Sequence, residues 1–341
     1  MPSLPTRPLG KNGPQVTALG FGVMQLSLYN GTIASDDDRF KVLDRAYELG
    51  ETFWDSADIY ADSEELLGKW FQRTGKRDEI FLATKFGNYV DAQGERSVRG
   101  DPDYVAQACA KSLRRLGVEQ IDLYYCHRLD QTVPIEETVG AMAKLKHEGK
   151  VRYLGLSECS SESLRRAYAV HPIAAVQIEY SPFALDIEDP KIALLQTCRE
   201  LGVAVVAYSP LGRGMITGRY KSLDDLEEGD PRRMFPRFSP ENFPKNLHLV
   251  EELQSIAVRK QCTTGQLTLA WLMAQGEDVI PIPGTKRITG LEENVAALNV
   301  TLSPSEVVEI RKVVEAAVVH GDRYPTRFML STFADTPLLA R

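Results

Sequence analysis

The chain has 341 residues, enough for one large α/β domain, and its 43% hydrophobic and 26% charged residues are a globular balance that excludes extended disorder. A net charge of −7 without a long Lys/Arg run excludes the basic face of a nucleic-acid binder. No apolar run reaches the roughly 18 residues of a membrane span, and the N-terminus lacks a secretory apolar region, so we expect a cytoplasmic protein with neither nucleic acid nor membrane as partner.

In chain order, residues 1–18 read as a β-hairpin around Lys11-Asn12-Gly13, since an Asn-Gly step between β-compatible residues is a hairpin signal. Such a hairpin can close one end of the domain that follows. Short apolar runs then mark eight strands: Ala18–Phe21, Thr52–Trp54, Ile80–Ala83, Ile121–Tyr125, Val151–Leu156, Ala175–Ile178, Val203–Ala207 and Val279–Ile282. Segments of helical period alternate with them: Asp37–Leu49, Ser63–Arg73, Pro102–Leu116, Ile135–His147, Ser161–Val170, Pro190–Leu201 and Leu247–Arg259. Repeated strand–helix–strand units imply right-handed parallel crossovers. Eight of them fit a single (β/α)8 TIM barrel over residues 19–318 better than an open doubly wound sheet. The Pro/Gly-rich charged stretch 211–246 is an insertion, and 319–341 is an aromatic, basic tail that either folds over a pocket or stays exposed.

The chemistry sits at strand ends. Asp55 follows one strand, with Tyr60 five residues on; Lys85 follows the next and His127 the one after. In a barrel the C-terminal strand ends share one face, where active sites are built. Singly, Asp reads as a turn residue, Lys as solvated and Tyr as packing. Together they suit carbonyl reduction, which needs a hydride on carbon and a proton on oxygen. A free tyrosine has a pKa of about 10; a nearby ammonium lowers it, which makes the phenol a better general acid. Asp55 would balance Lys85, and His127 would orient the carbonyl. A metal-dependent barrel hydrolase would want His and Asp ligands clustered at strand ends. Of the five histidines only His127 is placed so, and the five cysteines (Cys109, Cys126, Cys159, Cys198 and Cys262) show no CxxC or Cys/His spacing, so free thiols and no metal are expected.

The motifs FWDSADIY, LATKFG and YYCHR, in that order, resemble the aldo-keto reductase family over roughly residues 9–318. The resemblance implies a barrel, a nicotinamide cofactor without metal, and Tyr60 as acid, Lys85 and Asp55 as its tuning pair and His127 as orienting residue. The LGKNG, GRG and IPGTK segments look closest to the microbial branch with pyridoxal reductases and general aldehyde reductases, so pyridoxal or an aromatic aldehyde is the first substrate to test. Other members serve as potassium-channel β subunits; no added N-terminal docking segment supports that alternative. Oligomeric state stays open, a homo-oligomer included.

The sequence lacks a GxGxxG fingerprint with its third glycine in place; Gly212, Gly214 and Gly218 come nearest. The resemblance instead implies a site on YSPLGRG. Tyr208 would stack on the nicotinamide, Ser209, Leu211 and the turn amides would meet phosphate oxygens, and Arg213 and Arg219 would add charge. Gly284, Thr285, Lys286 and Arg287 open a helix, whose N-terminus suits a phosphate, and favour the 2′-phosphate of NADPH. Glu293 and Asn294 match the adenine contacts. Gly290 stands where many members carry Arg. Ser157, Glu158 and Gln177 resemble the carboxamide-binding residues, with Glu158 where most members have Asn, and Gly22, Val23 and Met24 match the loop beneath the nicotinamide. Candidate substrate walls are Tyr29, Trp54, Tyr89 and Arg128.

Overall fold

The computed structural model describes residues 3–28 and 33–340. Eight parallel strands pair in chain order: β1 (Phe21–Gly22), β2 (Phe53–Asp55), β3 (Phe81–Phe86), β4 (Ile121–Cys126), β5 (Val151–Ser157), β6 (Ala175–Glu179), β7 (Ala204–Tyr208) and β8 (Val279–Pro281). Backbone bonds from Gly20 N to Pro281 O (2.9 Å) and Gly22 N to Pro283 O (3.2 Å) join the last strand to the first. The seam is tight. A Cβ on Gly22 would stand 2.9 Å from Ile282 O, and one on Gly284 2.7 Å from Gly22 O. The sheet is a closed (β/α)8 barrel.

The helices follow local chemistry. Helix Pro102–Leu116 starts on Asp101, whose carboxylate accepts from Tyr104 N, carries proline at its first position, and stops at Gly117 with φ 62°. It has its expected bounds, as do Ile135–His147 and Ser161–Val170. The segment expected from Pro190 begins only at Leu194, after Ala193 takes a left-handed φ of 51°. The segment expected from Leu247 begins earlier, at Phe243. Helix Thr264–Met273 escaped the pattern because it is buried on nearly every side, which erases the amphipathic period. A side hairpin, Asn88–Val90 with Arg96–Val98, was not foreseen either.

Alternation divides the strand side chains. Phe53, Ala83, Leu123, Tyr125, Ala175, Ala204, Val206 and Ile280 fill the barrel interior, while their neighbours pack under the helices. The N-terminal hairpin, Thr6–Pro8 with Gln15–Thr17, plugs the bottom. Leu9 and Val16 join the interior cluster, Lys11 N donates to Gly202 O just before β7, and Arg7 donates to the carbonyls of Met273 and Val279. The hairpin therefore seals the end opposite to the strand C-termini. The insertion is a string of short 3-10 turns, Gly212–Thr217, Leu223–Asp225, Pro231–Met234 and Pro236–Phe238.

Candidate active site

The interior column that begins with Phe53 and Ala83 turns polar at the top of the barrel. Asp55 ends β2 and Lys85 lies one strand over on β3, both facing in and both buried. The Lys85 ammonium is ion-paired with Asp55 Oδ1 and donates to Ser56 O at 2.7 Å. Gln177, two strands past β4 on β6, donates from Nε2 to Asp55 Oδ2 at 2.8 Å across the barrel. His127 continues β4 by one residue, its N–H bonded to Phe86 O. Tyr60 lies on the β2 loop, its ring edge-to-face with His127 at 5.7 Å between centres and 5.1 Å from the Lys85 ammonium. Four residues spread over 73 positions of sequence thus meet at one rim.

Burial sets the electrostatics. It pushes the Asp55 carboxyl upward against the pull of Lys85 and Gln177, and the Lys85 ammonium downward against Asp55. His127 is held well below the usual histidine range by burial first, then by the charges of Arg128 and Lys85, so its ring is neutral. Among the described residues its buried Nδ1 has no hydrogen-bond partner, nor has the buried Ser157 hydroxyl at the end of β5. Cys126, beside His127, faces the outer core; burial pushes its thiol up to about 12.

The remaining candidates divide. Ser157, Gln177 and Tyr208 all sit on the inward face; Gln177 pairs with Ser157, and Tyr208 pairs with Glu179, two residues beyond Gln177 on the same strand. Ser209 and Arg213 take left-handed φ values of 48° and 57°, which tighten the turn 208–214. Gly284 and Thr285 lead from β8 into helix Ile288–Ala296, and Arg287 N donates to the buried Thr285 hydroxyl at 3.1 Å. Lys286 and Arg287 are exposed around that helix start. A Cβ at Gly290 would stand 2.7 Å from Thr285 Oγ1, so glycine there leaves room for Thr285. Asn294 is buried, and Glu293 accepts from Thr263 Oγ1 at 2.7 Å. Val23 is buried and Met24 half-buried above β1. Arg219 is exposed with its guanidinium over Tyr220.

Several expected roles meet other geometry. Trp54 alternates outward: its indole packs on Trp70 and Phe71 and donates to Glu51 O at 2.7 Å, so it is no pocket wall. Tyr89 packs edge-on against Tyr104 of an outer helix with Arg99 alongside. Tyr29 lies outside the described residues. Arg213 pairs with Glu179 at 3.0 Å between Phe235 and Tyr324. Glu158 is not free for a carboxamide, because both its oxygens accept from Arg323. Arg128 is half-buried and donates to His127 O at 2.7 Å.

Glu179, Arg237 and Arg323 were missed. Glu179 follows Gln177 by two on the same inward face, a signal that period two supplied. The arginines lie in irregular segments, and nothing local marks them. The C-terminal tail is docked, not loose: Ala334 N donates to Glu158 O, Ser160 N to Ala334 O, and the Ser160 and Ser163 hydroxyls to Asp335. Among the described residues no group of three or more His, Cys, Asp or Glu is placed to hold a metal, and no helix is long and apolar enough to cross a membrane.

A profile of the aldo/keto reductase family matches residues 18–315. The chain is 60% identical over 325 residues to "Aldo-keto reductase str7" of Strobilurus tenacellus, covering 94% of this chain and 95% of that one. It is 51% identical to "Aldo-keto reductase yakc [NADP(+)]" of Schizosaccharomyces pombe, covering 98% of each. Among solved structures it is similar to glycerol dehydrogenase AKR11B4 from Gluconobacter oxydans, with TM-score 0.82, 25% identity, and 93% and 97% of the two chains covered. It is also similar to aldo-keto reductase AKR11C1 from Bacillus halodurans in its holo form, with TM-score 0.76, 30% identity, and 92% and 98% covered.

Proposed function

The chain belongs to the aldo/keto reductase family, and from that premise we propose that it reduces an aldehyde or ketone to the alcohol with NADPH, Tyr60 giving the proton. The observation that carries this reading is the buried Lys85–Asp55 pair, contributed by adjacent strands, beside the Tyr60 and His127 rings.

NADPH, when bound, supplies the hydride for the carbonyl carbon. The Tyr60 hydroxyl protonates the oxygen. The Lys85 ammonium favours the phenolate left behind. Asp55 keeps Lys85 charged where burial alone would strip its proton. His127, neutral at ordinary pH, offers one N–H to the carbonyl oxygen without competing as the acid. Because the hydride and proton arrive at the two ends of one bond, a fixed carbonyl orientation matters as much as acidity.

The cofactor would lie with its nicotinamide against the Tyr208 face and its carboxamide toward Ser157, whose buried hydroxyl has no partner among the described residues, and Gln177. Gly22, Val23 and Met24 would line the floor. Ser209, Leu211 and the turn amides would take the pyrophosphate, and the helix start at Thr285, Lys286 and Arg287 the 2′-phosphate. Glu293 and Asn294 would flank the adenine. The fission-yeast relative named for NADP(+) supports the same choice. The half-buried Arg128, whose charge interacts with Tyr60 and Tyr208, suits an aldehyde that is aromatic or carries an acidic group, and pyridoxal is the first to try.

The test follows NADPH oxidation against a panel of aldehydes. Tyr60→Phe should lower kcat by about a hundredfold or more while NADPH still binds. Full activity in that variant would defeat the assignment.

A further inference from the structure

Glu158 is a carboxylate in a fully buried position at the top of β5, next to the orphaned Ser157 hydroxyl. An isolated charge cannot be left there. Its partner comes from 165 residues away. Arg323, itself only 2% exposed, donates Nη1 to Oε1 at 3.1 Å and Nη2 to Oε2 at 2.9 Å. The same Oε1 accepts the Tyr208 hydroxyl at 2.7 Å. The Tyr208 hydroxyl also lies 3.0 Å from that of Tyr324, the residue after Arg323. The phenol of the one aromatic ring on the inward face of β7 is therefore gripped by a carboxylate and by the tail.

The geometry points to Arg323 as a positioning residue for the nicotinamide end of the cofactor, acting through Glu158 and Tyr208. This rests on the reading of the site given above. Arg323 neutralises Glu158 and fixes it by two parallel bonds, a geometry lysine cannot supply. Glu158 so fixed holds the Tyr208 hydroxyl, and a ring held at its hydroxyl keeps one plane for stacking. The tail is thereby tied to the hydride-transfer end of the site rather than to the phosphate end. Glu158 stays chemically quiet, its acceptor sites used by Arg323, Tyr208 and, at 3.4 Å, Glu179 N.

The test is a pair of affinities. Arg323→Met strands the Glu158 charge beside the nicotinamide; it should weaken NADPH binding about tenfold and leave adenosine 2′,5′-bisphosphate, which lacks that end, unchanged. Adding Glu158→Gln to Arg323→Met removes the stranded charge yet keeps an acceptor for Tyr208, so most of the lost NADPH affinity should return. If Arg323→Met fails to fold, Arg323→Lys carries the same pattern at about threefold. Unchanged NADPH affinity in the folded variants, or equal loss for both ligands, would overturn the proposal. Failure of the unaltered protein to bind NADPH at all would instead overturn the reading it rests on.

Discussion

The inner column and the outer rim of the site are both built on buried charge, yet they are assembled differently. In the column, Asp55, Lys85 and Gln177 are carried by strands, and each projects inward because of its parity. In the rim, Glu158 and Glu179 are also carried by strand ends, but their cations arrive from irregular chain: Arg323 from the tail, and Arg213 and Arg237 from the insertion. The column is as rigid as the barrel. In the rim these ion pairs add to the apolar packing of the insertion and to the backbone bonds of the tail in holding two irregular segments down. A buried pair adds little net stability compared with an apolar replacement, but breaking one is costly.

The largest effect should come from breaking the column. Lys85→Met leaves Asp55 buried without its cation, and should cost about 3–5 kcal/mol of unfolding free energy together with a hundredfold or greater loss of kcat; a denaturant titration and a progress curve check both. A variant with near-native stability and turnover would erase the distinction between column and rim.

Breaking the rim should loosen less. Glu179→Gln weakens the hold on both Arg213 and Arg237, and should cost about 1–3 kcal/mol while making residues 211–246 the first site of limited proteolysis. If the first cut falls in the barrel helices instead, Glu179 does not secure the insertion.

The column also predicts a pH response. The His127 ring has its pKa lowered by burial, whereas in the unfolded chain it titrates near 6.5. The unfolded state thus gains a proton first as pH falls, and the stability due to the neutral buried ring is present above about pH 6.5 and lost below it. His127→Asn should flatten the fall of stability between about pH 7 and 5 by about 2 kcal/mol, read as a smaller change in Tm. A parallel fall in both proteins would exclude His127 as its source.

The smallest effect sharpens the inside–outside division. Trp54→Phe removes one indole donation to Glu51 O under the helices, costing about 1 kcal/mol and leaving KM for the aldehyde where it was. A shift of KM would return Trp54 to the pocket.

How legible was this in the sequence? The four residues Asp55, Tyr60, Lys85 and His127 were, because their motifs lie at the ends of short apolar runs, and a strand end in a parallel barrel has only one place to be. The exclusion of Trp54 was legible too, since it is one step from Asp55 and period two turns it outward, but an aromatic residue beside a candidate catalytic one invites the opposite reading. Helix Thr264–Met273 was hidden because full burial leaves no polar face to set a period.

The sequence alone determined the alternation of strands and helices, the polar tops of three consecutive strands, and through them the chemistry we propose, because each depends on spacings of a few residues. Only the tertiary structure decided that Glu158 belongs to Arg323, that Arg213 belongs to Glu179, that the tail is docked and that the hairpin seals the far end. Those facts turn on which distant charge or apolar side chain reaches a buried partner, and a pairing across 165 residues leaves no periodic trace in the chain that makes it.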